Sequence, residues 1–212
     1  MRRTAFVLLV IISFVGELNA QSIRTSFLNI PDSLTPLLTS VNRADFIDFI
    51  DSEMEAKVKN RLDGYSIMKE LTDNYIFIEM TTRSSFEVKC LPYKNSVLFV
   101  VVESVLGPVK NSIVSFYDAK WNPLEGRLFF DTPVLSDFVK NDISNEMFLN
   151  LSKVVDVGFH EINLCPNSST LQIKLTSIDY LEKKQVDKYK PFICHGLDYQ
   201  WTGESFKPVP VK

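Results

Sequence analysis

The apolar residues change period at Asp73, and that change limits what the chain can fold into. Before it, Arg43 to Met54 places Phe46, Ile47, Ile50 and Met54 on one side of a 3.6-residue repeat. Asp45, Asp48, Asp51 and Glu55 lie on the other side, with Phe49 at the border. Asn42 is the expected N-cap of this helix. Ile23 to Ile30 is loosely helical and ends at Pro31, which lacks a backbone donor. After Asp73 the period is two. Ile76, Ile78 and Met80 alternate along one strand; Phe86, Val88 and Cys90 alternate with Glu87 and Lys89 on the next, after a polar turn at Thr82 to Ser85. Val97 to Val102 is apolar on both faces, as in a central strand covered on both sides, and Gly107 with Pro108 turns it toward Ser112 to Asp118. Four antiparallel strands are expected here. Lys57 to Thr72 fits neither period, and Asp63 with Gly64 marks a turn within it.

Helical patterning returns at Val134 to Val139 and at Asn145 to Val155. Strand candidates follow at Phe159 to Leu164, Leu171 to Thr176, Phe192 to Trp201 and Ser205 to Lys207. Strands segregated from helices predict an α+β fold, an antiparallel sheet with helices packed on one face. The order also suggests a duplicated helix pair plus β-meander. Asp118 and Trp121 share an Asp-x-x-Trp pattern with Asp198 and Trp201, and Ser84, Ser85, Phe86, Val88 parallels Ser168, Ser169, Leu171, Ile173. The expected halves are residues 21–127 and 128–212, packed as one unit.

Residues 1–20 read as a secretion signal. Arg2 and Arg3 precede an apolar run from Ala5 to Val15, too short to span a bilayer, and a small-residue exit ends at Ala20. The expected mature chain is periplasmic or extracellular. Removing Arg2, Arg3 and Glu17 takes 23 basic and 26 acidic residues to 21 and 25, an acidic balance that disfavours nucleic acid. Lys183, Lys184, Lys188 and Lys190 are the best local basic patch; Glu182 and Asp187 interrupt them, as on a solvated face.

No motif specifies a reaction: no Gly-x-Ser-x-Gly elbow, phosphate loop, dinucleotide fingerprint or His-Glu-x-x-His helix occurs. Three cysteines, Cys90, Cys165 and Cys194, allow at most one internal disulfide, for which Cys165 and Cys194 are the candidates, against three free thiols. A metal site would draw on His160, His195 and the cysteines, but alternation along a strand separates the neighbours, so no metal site or cofactor is expected. Asp45, Asp48 and Asp51 read as a solvated helix face rather than a calcium site. Trp121 and Trp201 read as core residues pinning strand ends rather than as exposed stacking platforms.

Leu28 to Leu37 (Leu-Asn-Ile-Pro-Asp-Ser-Leu-Thr-Pro-Leu), residues 42–51 (Asn-Arg-Ala-Asp-Phe-Ile-Asp-Phe-Ile-Asp), residues 71–75 (Leu-Thr-Asp-Asn-Tyr) and residues 116–124 (Phe-Tyr-Asp-Ala-Lys-Trp-Asn-Pro-Leu) together resemble a Bacteroidales family of secreted proteins of unknown function. That resemblance implies an exported protein and supplies no catalytic residues. The duplicated order is also similar to β-lactamase-inhibitor-protein-like folds, in architecture alone. Asp32, Ser33 and Leu34 look like an O-glycosylation acceptor of such bacteria. The expected function is a non-catalytic periplasmic interaction or binding module with an envelope or secreted protein partner. The alternatives are a thiol-dependent hydrolase using Cys194 or Cys165 with His160 or His195, and a carrier of a small apolar ligand.

Overall fold

The computed structural model describes residues 23–210, so the expected signal segment lies outside the described residues. Helix α1 spans Ile23–Leu28 and α2 spans Ser40–Asp51. Asn42 is not the cap of α2: Thr39 is. The Thr39 hydroxyl accepts from the Asn42 N–H at 3.1 Å and the Asn42 side chain accepts from the Thr39 N–H at 3.0 Å, a reciprocal box that starts the helix earlier than expected. The helix also stops earlier. Glu53 takes a positive φ of 55°, and Met54, placed on the apolar stripe by spacing, is 58% exposed beyond the helix end.

Seven strands then form one antiparallel meander in chain order: β1 (Lys57–Lys59), β2 (Tyr65–Leu71), β3 (Tyr75–Thr81), β4 (Ser84–Tyr93), β5 (Ser96–Leu106), β6 (Lys110–Tyr117) and β7 (Pro123–Leu124). The stretch without a clear period is thus the β1–β2 hairpin. Its signal is broken by a bulge between Met68 and Glu70 and by buried polar residues. Asn60 replaces apolar packing there with hydrogen bonds: its amide donates to Ser66 Oγ and the Met80 carbonyl, and its Oδ1 accepts from the N–H groups of Leu62 and Gly64.

Each face of this sheet has its own core. On one, Ile76, Ile78, Phe86, Val88, Phe99 and Val101 meet Phe27, Ile30 and Leu38 and the α2 residue Phe46. On the other, Leu91, Leu98, Val100, Val102 and Phe116 meet a second sheet rather than helices alone. Burial from both sides explains the unbroken apolar run of β5.

The second sheet contains β8 (His160–Leu164), β9 (Thr170–Leu175), β10 (Leu197–Trp201) and β11 (Phe206–Pro208), antiparallel in the order β11-β10-β9-β8. Helix α3 (Asn145–Val154) precedes it, and α4 (Lys183–Tyr189) is inserted between β9 and β10. Val134 to Val139 reduces to a 3-10 turn at Leu135–Phe138, and β10 begins at Leu197 rather than at Phe192. The fold is therefore α+β, built on two antiparallel sheets. The duplicated order is not displayed: a seven-strand meander follows one helix pair, whereas the second sheet has four strands with a helix between them. The repeated Asp-x-x-Trp pattern adopts two conformations. Asp118 caps a turn that leaves Trp121 at φ 63°, while Asp198 and Trp201 lie within a regular strand. The likeness to β-lactamase-inhibitor-protein-like folds rested on that duplication and loses its support.

Polar groups join the sheets. Alternate N–H groups of a strand point to opposite sides, so the edge strand β8 has donors facing away from β9. Those of His160, Ile162 and Leu164 donate to side chains of the first sheet: to Asn111 Oδ1 at 3.2 Å, Ser112 Oγ at 3.0 Å and Glu87 Oε2 at 2.9 Å. The Tyr75 hydroxyl also donates to Glu87, at 3.0 Å. Next along β4, Lys89 Nζ donates to the carbonyls of Cys165 and Pro166 and to Asn74 Oδ1, at 3.1, 2.6 and 3.1 Å. Glu87 and Lys89 are 3% and 2% exposed, so the polar residues of the β4 alternation line the buried seam between the sheets.

Burial holds the Glu87 carboxyl above its ordinary range, against the lowering effect of the Leu164 N–H and the Tyr75 hydroxyl. The folded state therefore binds this proton more readily than the unfolded chain does. Its contribution to stability grows as pH falls through the folded pKa and is lost as pH rises through it. Urea unfolding should show wild type gaining stability relative to Glu87→Gln between about pH 7 and about pH 5. Glu87→Ala, which leaves the Leu164 N–H without its acceptor, should cost about 1–3 kcal/mol.

Candidate functional site

The residues singled out by sequence are dispersed. His160 opens β8, half-buried, with its ring stacked on Phe138 at 5.4 Å, and burial lowers its pKa. Cys165 follows the other end of β8, about 16 Å along an extended strand from His160, so these two do not form a nucleophile and base pair. Cys90 packs beside the helix-side core, and burial pushes its thiol up to about 11. All three cysteines are free, so the Cys165–Cys194 bridge is not formed. Among the described residues no group of three or more His, Cys, Asp or Glu side chains is placed to hold a metal ion.

On α2, Asp51 pairs with Arg24 at 2.6 Å, and Asp48 is exposed. Lys183, Lys184 and Lys188 are exposed on α4, and Lys190 just beyond it pairs with Asp179 at 3.6 Å. Both tryptophans are buried. Trp121 stacks on Phe99 at 4.3 Å and donates its indole N–H to the Ser26 carbonyl; Trp201 donates to the Pro92 carbonyl. Ser33 lies in an exposed turn whose neighbour Asp32 is held by Arg43 at 2.9 Å and Arg61 at 3.6 Å.

The arrangement with chemical potential is a cleft of about 340 Å³ lined by Glu161, Asn163, Gln172, Ile173, Lys174, His195, Gly196 and Asp198. It lies on the second sheet's outer face. Ile162, Leu164, Leu171, Ile173 and Tyr199 turn inward to the core, so the alternate residues of the same strands turn outward. Register then aligns them: Asn163 lies opposite Gln172, Gln172 opposite Asp198, and Glu161 opposite Lys174. Gly196 admits the next segment, because a Cβ there would sit 3.2 Å from the Ile173 carbonyl oxygen. That close approach carries His195 to the rim of the cleft.

The cleft holds a row of open hydrogen-bonding groups. Glu161 is paired with Lys110 at 2.9 Å and Lys174 with Asp179 at 3.7 Å. The side chains of Asn163, Gln172, His195 and Asp198 have no hydrogen-bond or ion-pair partner among the described residues. Of these, the sequence points to His195 for different chemistry and to Asp198 only as part of the repeated Asp-x-x-Trp pattern. The available signal for the rest was the outward set of the alternating strands: polar residues between inward apolar ones at 163, 172 and 198.

Residues 15–206 match the family model described as protein of unknown function (DUF3256), and the chain belongs to that family. A solved domain of an uncharacterized protein from Porphyromonas gingivalis W83 is similar at a TM-score of 0.79 and 23% identity, covering 89% of this chain and 98% of that one. At that identity the likeness concerns the fold. No curated protein matches the chain. Among the described residues no helix is long and apolar enough to cross a membrane.

The cysteines differ in expected reactivity. At neutral pH Cys90 should label slowest with a thiol-reactive probe, because a thiol titrating near 11 carries little thiolate. Mass spectrometry of partially labelled protein reads the order of labelling, and the denatured, unreduced chain should return three free thiols.

Proposed function

We propose that the protein is an exported, non-catalytic binding module of the periplasm or cell exterior, and that the outer cleft of the second sheet is its contact surface. The observation carrying this reading is the aligned row Asn163, Gln172 and Asp198 with His195, whose hydrogen-bonding capacity is left open while neighbouring Glu161 and Lys174 are internally paired. Such a row suits recognition. The separation of Cys165 from His160 along β8 counts against that pairing of the thiol-hydrolase alternative. Export is supported by the charged, apolar and small-residue succession of residues 1–20.

The experiment is capture from envelope extract of the native host with the mature chain, residues 21–212, in parallel with a Gln172→Ala, Asp198→Ala double variant. Both changes are at exposed positions, so folding should survive and be verified by circular dichroism. A component retained by wild type and lost at least tenfold by the variant is the expected result. Equal capture by both proteins would remove the cleft as the contact surface.

A further inference from the structure

Resting on that reading, we infer that the cleft takes a neutral saccharide of one or two rings. The chemistry of the lining selects this class. A sugar hydroxyl both donates and accepts, and so do the carboxamides of Asn163 and Gln172, which stand side by side on β8 and β9. Asp198 extends the row on β10 as an acceptor of paired hydroxyls, and His195 brings an imidazole to the rim. A volume of about 340 Å³ is at the low end for small-molecule sites.

Charge disfavours anions. Lys110 is engaged by Glu161 and Lys174 by Asp179, which leaves Asp198 as the lining charge without an ion-pair partner among the described residues. A phosphate or acidic peptide would meet a carboxylate with no free cation opposite it. Strand addition is also disfavoured, because the outward N–H groups of β8 are already occupied by Asn111, Ser112 and Glu87. An apolar peptide or lipid would find little purchase: the apolar lining residue is Ile173, whose side chain belongs to the core.

The test is a titration of the isotope-labelled mature chain followed by NMR, using chitobiose, maltose, cellobiose and lactose as probes, each repeated at low and at about 0.5 M salt. Saturable shifts at Asn163, Gln172 and Asp198 with at least one disaccharide are expected. Affinity should be unchanged by salt and weakened at least tenfold in Asn163→Ala and Gln172→Ala, but not in Lys69→Ala on the first sheet. Binding that ignores the cleft substitutions overturns the inference. If no disaccharide binds while envelope capture remains cleft-dependent and brings down a peptide or protein, the saccharide inference falls and the binding role stands. Loss of both results overturns both.

Discussion

An edge strand laid against another sheet's face must find partners for donors that its own sheet cannot reach. In this protein β8 finds them in Asn111, Ser112 and Glu87, and the position of the second sheet follows. Apolar contact alone would let two sheets slide over one another, since burial is non-directional. Three hydrogen bonds spaced along β8 remove that freedom and fix both translation and angle. Lys89 adds a fourth point beyond the end of the strand by holding the carbonyls of Cys165 and Pro166. The cleft on the far side of β8 and β9 inherits this precision, because its lining residues are the outward halves of strands whose inward halves are locked.

The parts legible in the sequence are those in which one periodicity runs uninterrupted. The strands β3 to β6 and the covered character of Val97 to Val102 follow from apolar spacing, as does the burial of Phe46 and Ile47 on α2. Alternation tells which residues share a face and is silent about what lies opposite that face. The alternation at Glu87 and Lys89 accordingly gives no sign that each is buried with its polar atoms matched by a partner far away in the chain. The β1–β2 hairpin was hidden by the opposite route. Asn60 and Ser66 perform by hydrogen bonding what apolar residues do elsewhere, and the bulge after Met68 breaks the period.

The cleft was legible only as loose letters. Asn163, Gln172 and Asp198 are ordinary outward strand residues until register sets them side by side, and Asp198 joins the row across a connection that contains α4. His195 stood out because histidines are scarce in this chain, and its placement depends on Gly196, whose lack of a side chain permits the close approach to β9. Asp-x-x-Trp shows the converse error. The same Asp and Trp, three apart at 118 and 121 and again at 198 and 201, occupy a turn and a strand, so similarity of spacing carried no similarity of structure.

The occupied edge of β8 also bears on self-association. Exposed strand edges are templates on which other chains add strands and begin to aggregate. Here the second sheet's inner edge is sealed by its own neighbour, and its outer edge is the three-residue β11, which ends at Pro208. The first sheet ends in β1, three residues with lysines at either end, and in β7, two residues beginning with Pro123. A chain rich in alternating apolar strands thus offers little continuous backbone for unwanted pairing, and the sealing of β8 by side chains protects the longer of the second sheet's two edges.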